Sequence, residues 1–339
     1  MGVTESVQAP GPELHTRARL LKELGGDKNS FINAALSNDV QTYVLKPFVL
    51  PRTVLCFDNH EINVCDADNA TFVQKLQHTL MSWDIVVPLR TSAIVYSGQG
   101  VTKVSAWHPP TPLDATYSLG TLDLASAVAG DTASFVCGGK IKPSDVSFKP
   151  SRNIYTITQE HGVRCANENA PFLIHQAHLM SVGSLLIVCC EQRLDWIKNG
   201  RTPVDTFCTY DVRADQFGQL PAPTPMNILD MGCTSWDTQM FVLQNQLCGR
   251  SDVWVGDVRS PDWTQQGVLN ANAVRVARCH DDHVVWLATH DAICDYDLRA
   301  GRCIRELSLP YVSDPHPLHG SDGKIHCWAL VYCDSPSSL

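Results

Sequence analysis

The sequence lacks the short motifs by which many catalytic and metal-binding sites are recognised. It contains no HExxH, P-loop, GxSxG or GxGxxG segment, which excludes the zinc-protease, nucleotide-binding and serine-hydrolase patterns. None of the 14 cysteines forms a CxxC pair, so zinc-ribbon and thioredoxin-type patterns are excluded too. No pattern of acid, base and nucleophile can be assembled. We therefore predict a protein without catalytic residues and without a cofactor.

Three His-x-x-His pairs are the only hint of metal chemistry, and none is complete. A site at His280 and His283, in a predicted turn, lacks two further ligands. His175 and His178 lie in a predicted strand, where side chains three apart point to opposite faces. They are therefore not expected to share a metal. We predict no metal site. The third pair is His316/His319.

Long apolar runs are also absent, and the charge is unevenly spread. No stretch of about 18 apolar residues occurs, which predicts no membrane-spanning helix. The N-terminus has no apolar signal region, so we expect reduced thiols in the cytosol or nucleus. Residues 1–52 hold six basic and five acidic residues, which leaves 20 of the 26 basic and 30 of the 35 acidic residues in the remainder. An acidic body disfavours nucleic acid as a partner.

After residue 40, short β-branched and aromatic runs alternate with turn residues, a pattern typical of an all-β fold. In residues 273–309, AVRVARC, HVVWLATH, AICDYD and RCIRELSL predict a four-stranded antiparallel meander of about 40 residues, the size of one propeller blade. The proline-bearing connectors HPPTPLD (108–114) and LPAPTP (220–225) are predicted as exposed crossings. Further sets of four fit residues 44–77, 83–119, 122–158, 172–219 and 228–269.

We therefore predict a β-propeller of four-stranded antiparallel blades over residues 41–335. The run KIHCWALVYC is expected to belong to a seventh blade, with SFINAALSND as an added edge strand that closes the ring. Residues 1–40 form an N-terminal extension with a short helix at 12–24, which begins near Pro12 and ends before two glycines. That helix either packs on the propeller or docks a partner. Residues 336–339 are a tail.

A short phrase recurs where third strands are predicted to end: CDAD (65–68), YDVR (210–213), GDVR (256–259) and YDLR (296–299). The last three aspartates are 46 and 40 residues apart, as in a repeated unit. A carboxylate there can accept hydrogen bonds from amides where the chain reverses. The predicted turn-stabilising residues are Asp66, Asp211, Asp257 and Asp297.

In these endings the chain resembles the WD-repeat family of β-propellers, in which an aromatic residue and Asp close the third strand. Tyr210 and Tyr296 match the aromatic residue, whereas no blade carries a Gly-His pair or a Trp-Asp pair at the matching place. The resemblance, and a size similar to the mitotic-checkpoint and messenger-RNA-export propellers, implies a non-catalytic scaffold. Such a scaffold binds peptide or helical segments of other proteins within a multiprotein complex.

The contact residues depend on which rim of the ring is used. In the scaffold interpretation the partner binds the rim with the turns between second and third strands, where arginines can pair with an acidic peptide. WD-repeat substrate receptors of cullin-type ubiquitin ligases instead dock an adaptor through Asp-x-Arg endings of adjacent blades. A third alternative is an enzyme with a site at the channel mouth. Scaffold contacts are predicted at Asn59, Gln99, Arg275, Arg278 and His290, and adaptor contacts at Arg213, Arg259 and Arg299.

Overall fold

The computed structural model describes 14 segments of the chain, and their regular secondary structure is almost wholly β-strand. They include 25 strands and one turn of 3-10 helix at Ala115–Tyr117. No helix in these segments is long and apolar enough to cross a membrane. The predicted helix at 12–24 and the tail at 336–339 lie outside them. The segments are 52–57, 61–77, 84–98, 100–119, 122–141, 149–172, 177–190, 204–226, 231–246, 248–270, 273–278, 283–289, 292–307 and 329–334.

The strands form six antiparallel sheets, which we number as blades in chain order. Blade 1 contains β1 (Thr53–Phe57), β2 (Glu61–Asp66), β3 (Thr71–Gln77) and the last strand, β25 (Ala329–Cys333). Blade 2 contains β4 (Ile85–Pro88), β5 (Ala93–Ser97), β6 (Gly100–Val104) and β7 (Thr111–Pro112). Blade 3 contains β8 (Leu122–Ala129), β9 (Ser134–Ile141), β10 (Lys149–Pro150), β11 (Ile154–Thr158) and β12 (Gly162–Asn167).

The remaining three blades are regular four-stranded meanders. Blade 4 contains β13 (Ala177–Val182), β14 (Leu185–Cys190), β15 (Val204–Asp211) and β16 (Gln216–Met226). Blade 5 contains β17 (Met231–Trp236), β18 (Gln239–Asn245), β19 (Ser251–Asp257) and β20 (Ser260–Leu269). Blade 6 contains β21 (Ala273–Arg278), β22 (Val284–Thr289), β23 (Ile293–Asp297) and β24 (Arg302–Glu306).

The six blades close into a ring. The inner strand of each blade contacts that of the next, in the circuit β4, β8, β13, β17, β21, β25 and back to β4. Six clusters of buried side chains match the six junctions between blades. At the junction of blades 6 and 1, for example, Trp286 packs in one cluster with Val54 and Tyr332. The predicted all-β propeller of four-stranded antiparallel blades is confirmed.

The predicted count of seven blades is wrong, because the described strands build six. The last strand does not start a new blade but supplies the inner strand of blade 1. β25 pairs antiparallel with β1, with Cys333 opposite Thr53 and Ala329 opposite Phe57. This pairing joins the two ends of the array and gives blade 1 its innermost strand. The segment SFINAALSND, proposed as an edge strand, lies outside the described residues.

Two proline-bearing connectors were wrongly predicted to contain no strand. β7 falls within HPPTPLD, and β16 continues through LPAPTP. Both are the outermost strands of their blades, and an edge position tolerates proline because no ladder hydrogen bond is required of its nitrogen. The third set begins where predicted, at Leu122, but was expected to end too early, since blade 3 continues to Asn167. VSFKP ends in the short extra strand β10.

Removing residues 329–339 is predicted to unfold the ring. Leu330, Val331 and Tyr332 are buried, and burial of each large apolar side chain contributes about 1.5–3 kcal/mol. Their sum is comparable with the total stability of a domain, about 5–15 kcal/mol. Circular dichroism during heating should show no cooperative transition for this truncation. A control that removes only residues 335–339 should unfold like the full chain, and a cooperative transition in both proteins would contradict the closure.

Candidate functional site

One rim of the ring carries turns that are anchored by aspartate. Asp297 ends β23, and its Oδ1 accepts hydrogen bonds from the amides of Arg299 (2.8 Å) and Ala300 (3.0 Å). These bonds fix the turn before β24 begins. The same arrangement recurs at Asp66 with the amides of Asp68 and Asn69, at Asp211 with those of Arg213 and Ala214, and at Asp257 with that of Arg259.

A second group, from the turn between first and second strands, holds each carboxylate in three consecutive blades. It is the residue directly before the second strand, and its own carbonyl also accepts from the residue after the aspartate. The two turns of one blade are therefore tied together on the same rim. The pairs are Ser184 Oγ with Asp211 (3.0 Å), Thr238 Oγ1 with Asp257 (2.8 Å), and His283 Nε2 with Asp297 (3.5 Å).

Blade 3 solves the same turn without aspartate. Thr158 ends β11, and its hydroxyl accepts a hydrogen bond from the amide of His161 at 3.0 Å. Threonine can take the place of aspartate here because its side-chain oxygen reaches the same turn amides, although more weakly. Blade 3 therefore has the same kind of turn, with Thr158 in the position that Asp occupies in other blades.

The three Asp-x-Arg arginines lie on this rim, in three different states; we call Arg213, Arg259 and Arg299 the arginine rim. Arg259 forms two side-chain bonds to Asp257, at 2.9 and 2.7 Å, and its side chain is 72% exposed. Arg299 instead stacks on the Trp236 ring, 4.6 Å from its centroid. Arg213 is exposed, and within the described residues no carboxylate lies at ion-pair distance from it. The local ion pair is therefore formed at only one of the three positions.

Hydrogen bonding holds the pKa of these aspartates below the ordinary value. The guanidinium of Arg259 lowers the pKa of the Asp257 carboxyl, and the amide of Ala214 lowers that of Asp211. Burial acts to raise the pKa of Asp297, but its bonds to two backbone amides and its attraction to His283 and Arg299 together lower it. All three carboxylates are thus charged at neutral pH and act as acceptors.

Arg305 joins the first and last blades beside the same rim. Asp295 is buried in blade 6, and its carboxylate binds the guanidinium of Arg305 at 2.6 Å. Arg305 also donates to the carbonyls of Ala67, at 3.0 Å, and Asp68 in the turn of blade 1. Two glutamines on outer strands contact the next blade in the same way. Gln266 of blade 5 donates to Leu298 O in blade 6, and Gln74 of blade 1 donates to Ala106 O, which follows β6 of blade 2.

A small cavity of about 200 Å³ lies beside this ion pair. Its apolar lining includes the buried Trp286 and the half-exposed Ile304, and Arg52 and Arg305 line it as well. Arg52 is itself paired with Asp68 at 2.6 Å. The cavity could admit an apolar side chain, whereas its arginines already have partners.

The residues predicted for the scaffold contact fall mostly outside the described residues. Asn59, Gln99 and His290 lie outside the described residues, in the sequence between second and third strands. Arg278 is described only as part of β21, without its side chain. Arg275 lies half-buried on β21, the inner strand of blade 6. The predicted scaffold contact therefore stays a prediction, whereas the three residues of the arginine rim each lie in a described turn of one rim.

In the described part of the chain, no group of three His, Cys, Asp or Glu residues is placed to hold a metal ion. His283 contacts Asp297 and packs edge-on against Trp236. Of the other paired histidines, only His178 lies within the described residues.

No protein-family model matches this chain, and no curated protein matches it either. The fold and the rim geometry are therefore the basis for any functional proposal.

Arg305→Ala is predicted to destabilise the ring by about 3 kcal/mol, because it leaves the buried Asp295 carboxylate without its cation. Urea unfolding measures the change. Arg302→Ala is a matched control, an exposed arginine of the same strand, and should change stability by less than about 0.5 kcal/mol. Equal changes in the free energy of unfolding for the two substitutions would show that the contacts of Arg305 do not stabilise the ring.

Acid should weaken the aspartate-anchored turns. A carboxyl whose folded pKa is depressed contributes stability that is present above its unfolded pKa, about 3.9, and is lost as the pH falls through the folded value. Asp257→Asn should therefore lower the melting temperature at pH 7, and the difference from the unchanged protein should shrink towards pH 2. Asp262→Asn, at an exposed position on β20, is the control and should show little effect. A constant difference across this pH range would contradict the assignment.

Proposed function

We propose that the protein is a non-catalytic interaction scaffold that binds an acidic peptide or helical segment of a partner protein at the arginine rim. The observation that carries the proposal is the placement of three arginines on anchored turns of three consecutive blades, on one rim. Because their backbones are already fixed, binding costs less conformational entropy than it would on mobile loops.

The chemistry of the arginine rim favours carboxylates. A guanidinium has five N–H donors, and Arg259 uses only its Nε and Nη2 in bonds to Asp257. Further donors are thus available to a partner's carboxylate, which arginine can bind through two parallel bonds. Arg299, held flat against Trp236, presents an aromatic and a cationic surface together, a combination enriched at the energetic centres of interfaces.

The net charge of the whole chain would help to orient an acidic partner. The protein has a formal net charge of −9, so most of its surface repels an acidic partner while the arginine rim attracts one. Such complementarity governs encounter and specificity more than affinity. A partner of this kind should therefore bind in one orientation and more weakly at high salt.

A more specific candidate is a substrate receptor of a cullin-type ubiquitin ligase, docking an adaptor through the same arginines. What favours it is that the Asp-x-Arg turns occupy consecutive blades 4, 5 and 6 on one rim. In this case the partner is one constant adaptor, whereas the general scaffold admits partners of other kinds. The identity of the recovered partner separates the two candidates.

Charge reversal of the arginine rim is predicted to abolish partner binding. Full-length protein and the variant Arg213→Glu/Arg259→Glu are compared by affinity purification and quantitative mass spectrometry. Stoichiometric partners should fall at least about tenfold in the variant, since loss of an arginine at the energetic centre of an interface costs about 2 kcal/mol or more. Thermal unfolding checks that the ring is intact.

The matched control is Arg152→Glu/Arg164→Glu, which reverses two exposed arginines of blade 3 and changes the net charge equally. It should keep all partners. If the rim variant retains its partners while folded, the arginine rim is not the binding surface. If both variants lose them equally, net charge and not the rim is responsible.

A further inference from the structure

Two thiols on neighbouring strands of blade 6 lie in direct contact. Cys294 on β23 and Cys303 on β24 have their Sγ atoms 3.1 Å apart. A disulfide requires about 2.05 Å between its sulfurs, so an approach of about 1 Å would form the bond. Both residues are free thiols here.

The strand pairing places the two thiols on the same face, because Cys303 pairs with Tyr296 and Tyr296 is two residues from Cys294 on β23. A β-bulge lies next to this pair. Tyr296 pairs with Cys303 and Asp295 with Arg305, so Ile304 is the extra residue of β24. A bulge changes which way the following side chains point. It lets Arg305 bind Asp295 while Cys303 contacts Cys294, which belongs to the cluster between blades 5 and 6.

The two thiols differ in access and in acidity. Cys303 is exposed, and Cys294 is buried. The hydrogen bond between them lowers the pKa of Cys303 and raises that of Cys294, and burial raises the latter further. An exposed, more acidic thiol beside a buried partner has the properties of an attacking and a resolving cysteine.

We propose that Cys294 and Cys303 form a reversible disulfide by exchange with a low-molecular-weight disulfide, which makes this pair a redox modification site. The Cys303 thiolate attacks one sulfur of the small disulfide, forms a mixed disulfide and releases one thiolate. Cys294 Sγ loses its proton to that thiolate and attacks Cys303 Sγ, and the second small thiolate leaves. The second thiolate takes up the proton that Cys303 gave up on ionising, so the protein dithiol is oxidised by two electrons and the small disulfide is reduced to two thiols.

Peptide mapping of the full-length protein tests the site, with glutathione disulfide as the probe. The reduced protein is treated, blocked with an alkylating agent, and cleaved after Arg and before Asp without reduction. Cys294 then lies in DAIC (291–294) and Cys303 in CIR (303–305), so their disulfide gives one linked product. It should form at least about tenfold faster than the mixed disulfide on exposed Cys165, because the pKa of Cys303 is lowered and that of Cys165 is raised by burial, so Cys303 is more often the attacking thiolate.

The variant Cys294→Ser separates the two steps. It should accumulate the mixed disulfide on Cys303, and dithiothreitol should reverse both this product and the linked product of the unchanged protein. A mixed disulfide on Cys303 in the unchanged protein, with Cys294 still reduced, would overturn the proposal. So would a lack of reaction at both residues while Cys165 is modified.

Discussion

The pairing of β25 with β1 is the constraint on which the rest of the structure depends. It joins the strand nearest the end of the described chain to the first described strand, and its register is continuous from Thr53 opposite Cys333 to Phe57 opposite Ala329. Without it, blade 1 would have three strands and would lack the inner strand that contacts blades 2 and 6. With it, six blades contact one another in a closed circuit, and each buried cluster lies between two of them.

The outer part of the ring repeats one economical set of contacts. A side-chain oxygen at the end of the third strand fixes the following turn, and a side chain of the preceding blade binds that turn's carbonyls. The junction of blades 6 and 1 uses the charged version, in which Arg305 satisfies the buried Asp295 and reaches blade 1. The three residues of the arginine rim thus lie on turns that also stabilise the ring.

Much of the fold was predictable because each strand set carries its own local signal. β-branched runs, turn residues and the recurring Asp indicated the blades at 172–219, 228–269 and 273–309. The blade count was not predictable in the same way, since the choice of partner for KIHCWALVYC depends on a pairing almost 280 residues away in the chain. The aspartate turns follow from local chemistry, whereas the contacts of Trp236, Arg305 and Cys303 arise only when strands or blades meet.

The closure can be measured directly by hydrogen exchange on the intact protein, read by mass spectrometry. The account predicts that the amides of residues 329–333 that bond to β1, and those of residues 53–57, are protected to the same degree as those of β22 in blade 6, because a closed ring opens as one cooperative unit. Exchange of residues 329–333 within seconds, while β22 stays protected, would contradict it and show that this strand is not part of the ring.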